Sequence, residues 1–285
     1  MKKYKKIAII GIGLIGGSIG KAVLEKGLAD EVVGICRRES SLDRAVKAGV
    51  FSAGYVNDYE KALKDAEIIF IATPVNTMKE TFKKLAEVVK NKNVIVTDAG
   101  STKKEIVDYA EAFKENFSFI GGHPLAGSEK SGVEYADGAL FEGSFCILTK
   151  GNETNEEALK QVKKLWHAMG AKVRVESAEQ HDKILAFTSH LPHVVAYALA
   201  GIQDKDTVSG MLSSGFKDTT RIASSDGTLW AEIFMSNKDN LLTAIRTFKA
   251  FLSELEEDIR EGKKDLLKEK LEKCKKVRDE IVQRS

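Results

Sequence analysis

The run Lys6-Ile7-Ala8-Ile9-Ile10 passes without a break into Gly11-Ile12-Gly13-Leu14-Ile15-Gly16 and then into a helical pattern from Ser18 to Leu24. This order constrains the fold more than any other stretch. A short, nearly continuous apolar run is what a parallel strand buried on both faces shows. Glycines directly behind it allow a tight turn and a close backbone approach, and the helix that follows turns unpaired N–H groups towards a pyrophosphate. Alone, the GxGxxG spacing is a weak signal, but between a strand and a helix it predicts a dinucleotide site with Gly11, Gly13, Leu14, Ile15 and Gly16 as contacts.

Residues 32–36 (Val-Val-Gly-Ile-Cys) form the second expected strand, whose end should read the adenosine ribose. An acidic residue there suits the 2′-hydroxyl of NAD, whereas this chain places Arg37 and Arg38 first and Glu39 after them. Two guanidinium groups suit a 2′-phosphate and lean towards NADP. The alternative is that both arginines are solvated and Glu39 does the reading. Residues 67–72 and 93–97 are further strands, separated by a helix over 76–89 with Phe82, Leu85, Ala86 and Val89 on one face. In an open parallel sheet, ligands gather beyond the carboxyl ends of the strands. That rule assigns Thr73, Pro74 and Gly100 to the cofactor and Ser101 to the reacting centre. Ser101 also reads as part of a helix start, with Thr102 and Glu105 forming a capping box.

The stretch Gly121-Gly122-His123-Pro124-Leu125-Ala126-Gly127-Ser128-Glu129 carries the candidate chemistry. Residues 117–120 read as a strand that Gly121 and Gly122 end, and Pro124 biases His123 to an extended conformation that projects its imidazole from the strand end. Read alone, His123 could equally be a loop histidine with a packing role. The glycine turn, the two later strand ends and His123 converge on one crevice, which favours a catalytic imidazole.

Strands over 145–149 and 172–175 flank an amphipathic helix of Ala158, Leu159, Val162, Leu165, Trp166 and Met169, with Trp166 in the core and His167 at the surface. Beyond residue 178 only helical periodicity remains. The fold expected is therefore α/β: a doubly wound, mostly parallel Rossmann-type sheet over 1–177, then an all-helical domain over 178–285. Residues 179–201 form a helix that Pro192 should kink, with His190, His193 and Tyr197 as a stripe. His193 is the expected ligand contact and His190 a satisfied buried histidine. Ser213 to Ala223 is rich in glycine and hydroxyls and delivers Arg221, a natural grip for a carboxylate or else a surface ion pair. Trp230 walls the pocket or simply packs. Leu241, Ile245, Phe248, Leu252, Leu255 and Ile259, resumed by Leu267, Leu271, Cys274 and Ile281, make a seam that needs a partner helix, from a second chain or an intrachain hairpin.

Composition narrows the classes. With 30% charged residues, a net charge of +2 and 43% hydrophobic residues among 285, there is core enough for one large or two ordinary domains and no electrostatic case for nucleic acid or an anionic membrane. Cys36, Cys146 and Cys274 lack metal or disulfide spacing and suit a reducing cytoplasm. No cluster suggests a metal. The basic start resembles a signal peptide, but the glycines fit strand-turn-helix better. No uninterrupted apolar run reaches the roughly 18 to 20 residues of a membrane span.

Taken jointly, Gly11 to Ser18, Asp98-Ala99-Gly100-Ser101, Gly122 to Gly132, Ser189-His190-Leu191-Pro192-His193 and Gly215 to Ala223 resemble the prephenate/arogenate dehydrogenase family over nearly the whole chain. The resemblance implies oxidative decarboxylation of prephenate to 4-hydroxyphenylpyruvate, on the route to tyrosine, in a nucleotide domain joined to a helical dimerisation domain. It implies His123 as the base, Ser101 orienting it, Arg221 on a substrate carboxylate, His193 at the pyruvyl side chain and Glu129 near the pocket mouth. Gly127, Ser128 and Lys217 fall in the same motifs as substrate contacts. Arogenate remains the alternative substrate, and a keto acid suits His193 better than an ammonium does. Neither a separate regulatory domain nor a mutase domain is expected. The rivals are a β-hydroxyacid dehydrogenase, whose lysine base is not evident, and a non-catalytic NADP sensor.

Overall fold

Eight strands form a single sheet: β1 (Tyr4–Ile10), β2 (Ala29–Cys36), β3 (Ala53–Val56), β4 (Ile68–Ile71), β5 (Ile95–Asp98), β6 (Ser118–Pro124), β7 (Phe145–Lys150) and β8 (Lys172–Ser177). Their order is β3-β2-β1-β4-β5-β6-β7-β8. The first six run parallel, β7 is antiparallel to β6, and β8 is parallel to β7. The computed structural model describes residues 3–127, 130, 132–151, 153–204, 206 and 211–283.

Successive strand residues face opposite sides, so both faces need cover. On one side Ile7, Ile9 and Val32 meet α1 (Leu14–Glu25) through Ile19 and Val23, and α6 (Glu156–Ala168) through Val162 and Trp166. On the other Ala8, Ile10, Val33 and Ile35 join a cluster with Met78, Phe82 and Leu85 of α4 (Val75–Val88) and Ile106 of α5 (Lys104–Ala110). Burial of each large side chain stabilises the sandwich by about 1.5 to 3 kcal/mol before entropy is counted. The strand order reverses beside β1 and β4, where doubly wound sheets open a crevice at their carboxyl ends.

Two expectations are corrected. The edge strand β3 has no counterpart in the sequence reading, because Ala-Gly-Tyr-Val shows neither an apolar run nor alternation. β6 does not stop at Ile120: it pairs with β5 through Ser118–Ile120 and then with β7 through Gly121–Pro124. Gly121 and Gly122 serve close packing within the sheet, since an added Cβ would lie 2.2 Å from Thr149 Oγ1 and 2.6 Å from the Asp98 carbonyl oxygen respectively.

After β8, the chain continues as α7 (Ala178–Leu185), a π-helical turn (Ala186–His190) and α8 (Leu191–Gly201). The π turn sits just ahead of Pro192 and absorbs the bond its missing N–H cannot make. Although no uninterrupted apolar run is that long, the helical stretch Ala178–Gly201 is long and apolar enough to cross a membrane by length and composition alone. Its side chains His181, Asp182 and His190 are nevertheless buried and hydrogen-bonded. Short helices at Ser214–Thr220 and Gly227–Ser236 follow.

Residues 1–238 and 239–285 form two compact units. The second is a helical hairpin that turns at Gly262 (φ +66°), where Lys270 pairs with Asp258 at 2.6 Å and with Glu254 at 3.5 Å. Even so, Leu252, Ile259, Leu271 and Ile281 on the expected seam are all more than half exposed.

Candidate active site

The glycine turn after β1 is shaped for a ligand. Gly11 has φ +94°, a conformation that favours glycine, and a Cβ on Gly16 would lie 2.0 Å from the Gly11 carbonyl oxygen. A Cβ on Gly13 would meet nothing within 4 Å, so the backbone there faces open space. Gly13 is the N-cap of α1 and supplies no side-chain cap, and the first turn carries no acidic residue. Free N–H groups and the helix dipole thus meet at an open surface that suits a pyrophosphate. Leu14 and Ile15 begin that helix, partly exposed. Thr73, against which Gly11 packs, holds a buried hydroxyl without a partner among the described residues, and Pro74 caps α4. Arg37 and Arg38 follow β2 and are exposed, with no ion pair to either guanidinium among the described residues.

Asp98, at the end of β5, joins this turn to the reacting centre. Its carboxylate accepts the N–H of Gly100 at 2.8 Å and of Gly122 at 2.9 Å, and it is ion-paired with Lys103. Both side chains are fully buried. The two backbone bonds fix the chain just before Ser101 and just before His123. From the end of β1 to that of β6 the sheet takes three strand steps, roughly 14 Å.

His123 Nδ1 lies 2.8 Å from His181 Nε2, and His181 Nδ1 lies 2.7 Å from Asp182 Oδ1. Asp182 also accepts the N–H of Lys103 at 2.8 Å and of Lys104 at 2.9 Å. It therefore caps α5 from another element. The capping box expected from Thr102 and Glu105 does not form; Thr102 instead donates to Ser236 Oγ. Asn237 completes the cluster, donating to the Asp182 carbonyl oxygen at 2.7 Å and to His190 Nδ1 at 3.2 Å.

Electrostatics keep these histidines neutral. Burial, then the proximity of His181, Lys103 and His190, pushes His123 well below the ordinary 6.5. His181 is lowered chiefly by burial, with Asp182 opposing. His190 falls to about 4 for the same leading reason. Burial alone would raise Asp182, but the His181 hydrogen bond and the two backbone N–H groups hold it below its ordinary value. A partly accessible imidazole at a strand's carboxyl end, neutral at physiological pH, can take a proton from an alcohol.

The other expected residues fall as follows. Ser101 is partly exposed at the end of β5 and makes no hydrogen bond among the described residues, and the ring nitrogen Nδ1 of His123 is met by His181. His193 stacks on Trp230, with centroids 3.4 Å apart, and its Nδ1 lies 2.9 Å from the Ser189 carbonyl oxygen. Arg221 is exposed and near enough to lower the pKa of His193, after burial as the main cause. Gly127 and Lys217 are exposed. Ser128 and Glu129 lie outside the described residues. Sequence reasoning missed His181, Asp182, Lys103 and Asn237. The adjacent His181-Asp182 pair in α7 was the one available signal.

With this geometry in view, comparison with known proteins is decisive. The description "Prephenate dehydrogenase, nucleotide-binding domain" matches residues 19–175, and "Prephenate dehydrogenase, dimerization domain" matches residues 177–273. The chain belongs to the prephenate dehydrogenase family. Among its relatives, the prephenate dehydrogenase of Bacillus subtilis (strain 168) is 37% identical over 83% of this chain and 65% of its own length. The chain thus spans just under two thirds of that relative. The cyclohexadienyl dehydrogenase of Zymomonas mobilis is 31% identical over 98% of this chain and 96% of its own. The prephenate dehydrogenase of A. aeolicus, solved with hydroxyphenyl propionate and NAD+, superposes with a TM-score of 0.88 at 36% identity, covering 98% of this chain and 99% of that one. Residues 19–175 are thus the nucleotide-binding domain of a prephenate dehydrogenase family member.

Proposed function

We propose that this protein converts prephenate to 4-hydroxyphenylpyruvate with a nicotinamide dinucleotide held over the glycine turn. The observation that carries the reading is the neutral, partly accessible His123 at the carboxyl end of β6, tied through Asp98 to the turn at Gly100 and Ser101. When bound, the nicotinamide supplies the hydride acceptor. His123 accepts the proton of the ring hydroxyl while the carbon bearing it gives up hydride. Departure of carbon dioxide returns an electron pair to the ring and makes it aromatic. The sum releases no proton, so His123 hands its proton back to the phenolic oxygen. General-base help of this kind is worth roughly a hundred- to ten-thousand-fold. Ser101 faces the same hydroxyl, Arg221 and Lys217 grip carboxylate, and Gly127 contacts substrate.

For the cofactor we favour NADP, because two guanidinium groups without an ion pair among the described residues follow β2. Glu39, in the first turn of α2 (Glu39–Lys47), is the rival reader and would favour NAD. The work divides between a nucleotide domain over 1–177 and a substrate and dimerisation domain over 178–285, in line with the two family matches. Exposed Leu252, Ile259, Leu271 and Ile281 are suited to cover by a second copy, giving a homodimer. A monomer mass in sedimentation equilibrium would refute that. Free cysteines suit the cytoplasm.

A second reading, arogenate, is favoured by His193. The Ser189 carbonyl can only accept, so Nδ1 of His193 donates to it, and the neutral ring offers an acceptor at Nε2. An acceptor suits the ammonium of arogenate, and only a protonated His193 would suit the keto group, which weakens the sequence argument for prephenate. Steady-state assays with prephenate and arogenate, each with NAD and NADP, decide. Prephenate with NADP should give the highest kcat/KM, and no reduced nicotinamide in any combination would refute the function.

A further inference from the structure

We propose that Asp182 and His181 are positioning residues that hold His123 in the one tautomer able to act as base, with its proton on Nδ1 and its lone pair on Nε2. The inference rests on His123 being that base, and it deepens the reading by saying what fixes the imidazole. The N–H groups of Lys103 and Lys104 can only donate, so both Asp182 oxygens must accept. Those two bonds and the one to His181 outweigh burial and hold Asp182 below its ordinary pKa, hence ionised, and the 2.7 Å contact then places the proton of His181 on Nδ1. Neutral His181 then offers a lone pair at Nε2. Across the 2.8 Å contact the proton must come from His123 Nδ1. One end of the chain is anchored in two backbone amides that cannot reverse, so the sense of every bond in it is set. His123 Nε2 is left bare.

The groups around His123 agree with this direction. Lys103, before α5, and His190, on the π turn, join His181 in disfavouring a charged imidazole, after burial itself. Lys103 is matched by Asp98. From β7, Ile147 pairs with His123, and Cys146 follows with a thiol that burial pushes up and keeps neutral. Asn237 donates both its amide protons, to Asp182 and to His190, and so sustains the helix that carries the pair.

The test reads the tautomer directly. Two-bond proton–nitrogen NMR spectra of the full-length, histidine-labelled protein, with the His123 signals assigned by their loss in His123→Asn, should give protonated Nδ1 and bare Nε2. In Asp182→Asn, the amide would donate to His181 Nδ1, turn the chain round and put the proton of His123 on Nε2. Its kcat should drop roughly a hundred- to ten-thousand-fold with KM little changed. His181→Gln, whose carbonyl can still accept from Nδ1, should keep the tautomer and far more of kcat than His181→Leu. A wild-type His123 protonated on Nε2 would overturn the proposal, as would an Asp182→Asn spectrum unchanged from wild type. Should Asp182→Asn fail to fold, the wild-type spectrum and the two His181 variants decide alone. Because the spectra need no turnover, an inactive wild type would refute the assigned reaction and leave the tautomer to be read separately.

Discussion

Replacing Asp98 by Asn should cost more stability than its size suggests. The carboxylate receives the Gly100 and Gly122 N–H groups and the Lys103 ammonium, and neither member of the ion pair has exposed side-chain surface. Asn is nearly the same shape but offers one oxygen for three donors, and its own NH2 must face one of them. The Lys103 charge is left buried without a counter-charge. Breaking a buried pair from one side costs about 3 to 5 kcal/mol, a large part of the roughly 5 to 15 kcal/mol that holds a domain together. Urea unfolding followed by the fluorescence of buried Trp166 measures the change. The cause is separable: adding Lys103→Met to Asp98→Asn removes the stranded charge and should recover a good part of the loss. A loss below about 1 kcal/mol for Asp98→Asn, or a double variant less stable than the single, would refute the reasoning.

Other consequences are as direct. His123 works only when neutral and its pKa is depressed below 6.5, so kcat/KM should be level at neutral pH and above and fall only on the acid side of 6.5; a limb above 6.5 would contradict the burial argument. By the same sign, the unfolded chain binds more protons than the folded one between 6.5 and about 4, and His190 should make stability fall across that window in a pH series of urea midpoints. Gly13→Ala should leave thermal stability unchanged and weaken the cofactor, whereas Gly16→Ala should destabilise the fold itself, because only the second Cβ meets backbone; calorimetry and cofactor titration separate the two. Joint replacement of Arg37 and Arg38 by Ala should raise the dissociation constant of NADP at least tenfold more than that of NAD, and equal losses would remove the case for a 2′-phosphate site.

The parts of the fold legible in the sequence are those whose signal is local. Residues 6–10 and 67–72 read as strands because both their faces are buried, and the glycine turn reads because its chemistry is contiguous. Edge strand β3, half-buried and four residues long, leaves no such trace. The site divides along the same line. His123, His190 and the strand-end turns stand in recognisable motifs. His181 does not: nine residues before His190, it is half a turn out of phase with that residue in a regular helix, and only the fold brings it to His123. Lys103 gives no hint of full burial, since its partner Asp98 and the elements that cover it come from the folded sheet. Asn237 and Asp182, 55 residues apart, meet only in three dimensions.

The proposed chemistry turns on one imidazole, and His123→Asn measures its part most directly. The variant should bind cofactor and substrate with near wild-type affinity, because neither the glycine turn nor Arg221 is touched. Its kcat should be lower by roughly a hundred- to ten-thousand-fold, without an acid limb. Turnover at the wild-type rate, with the same pH profile, would contradict the account.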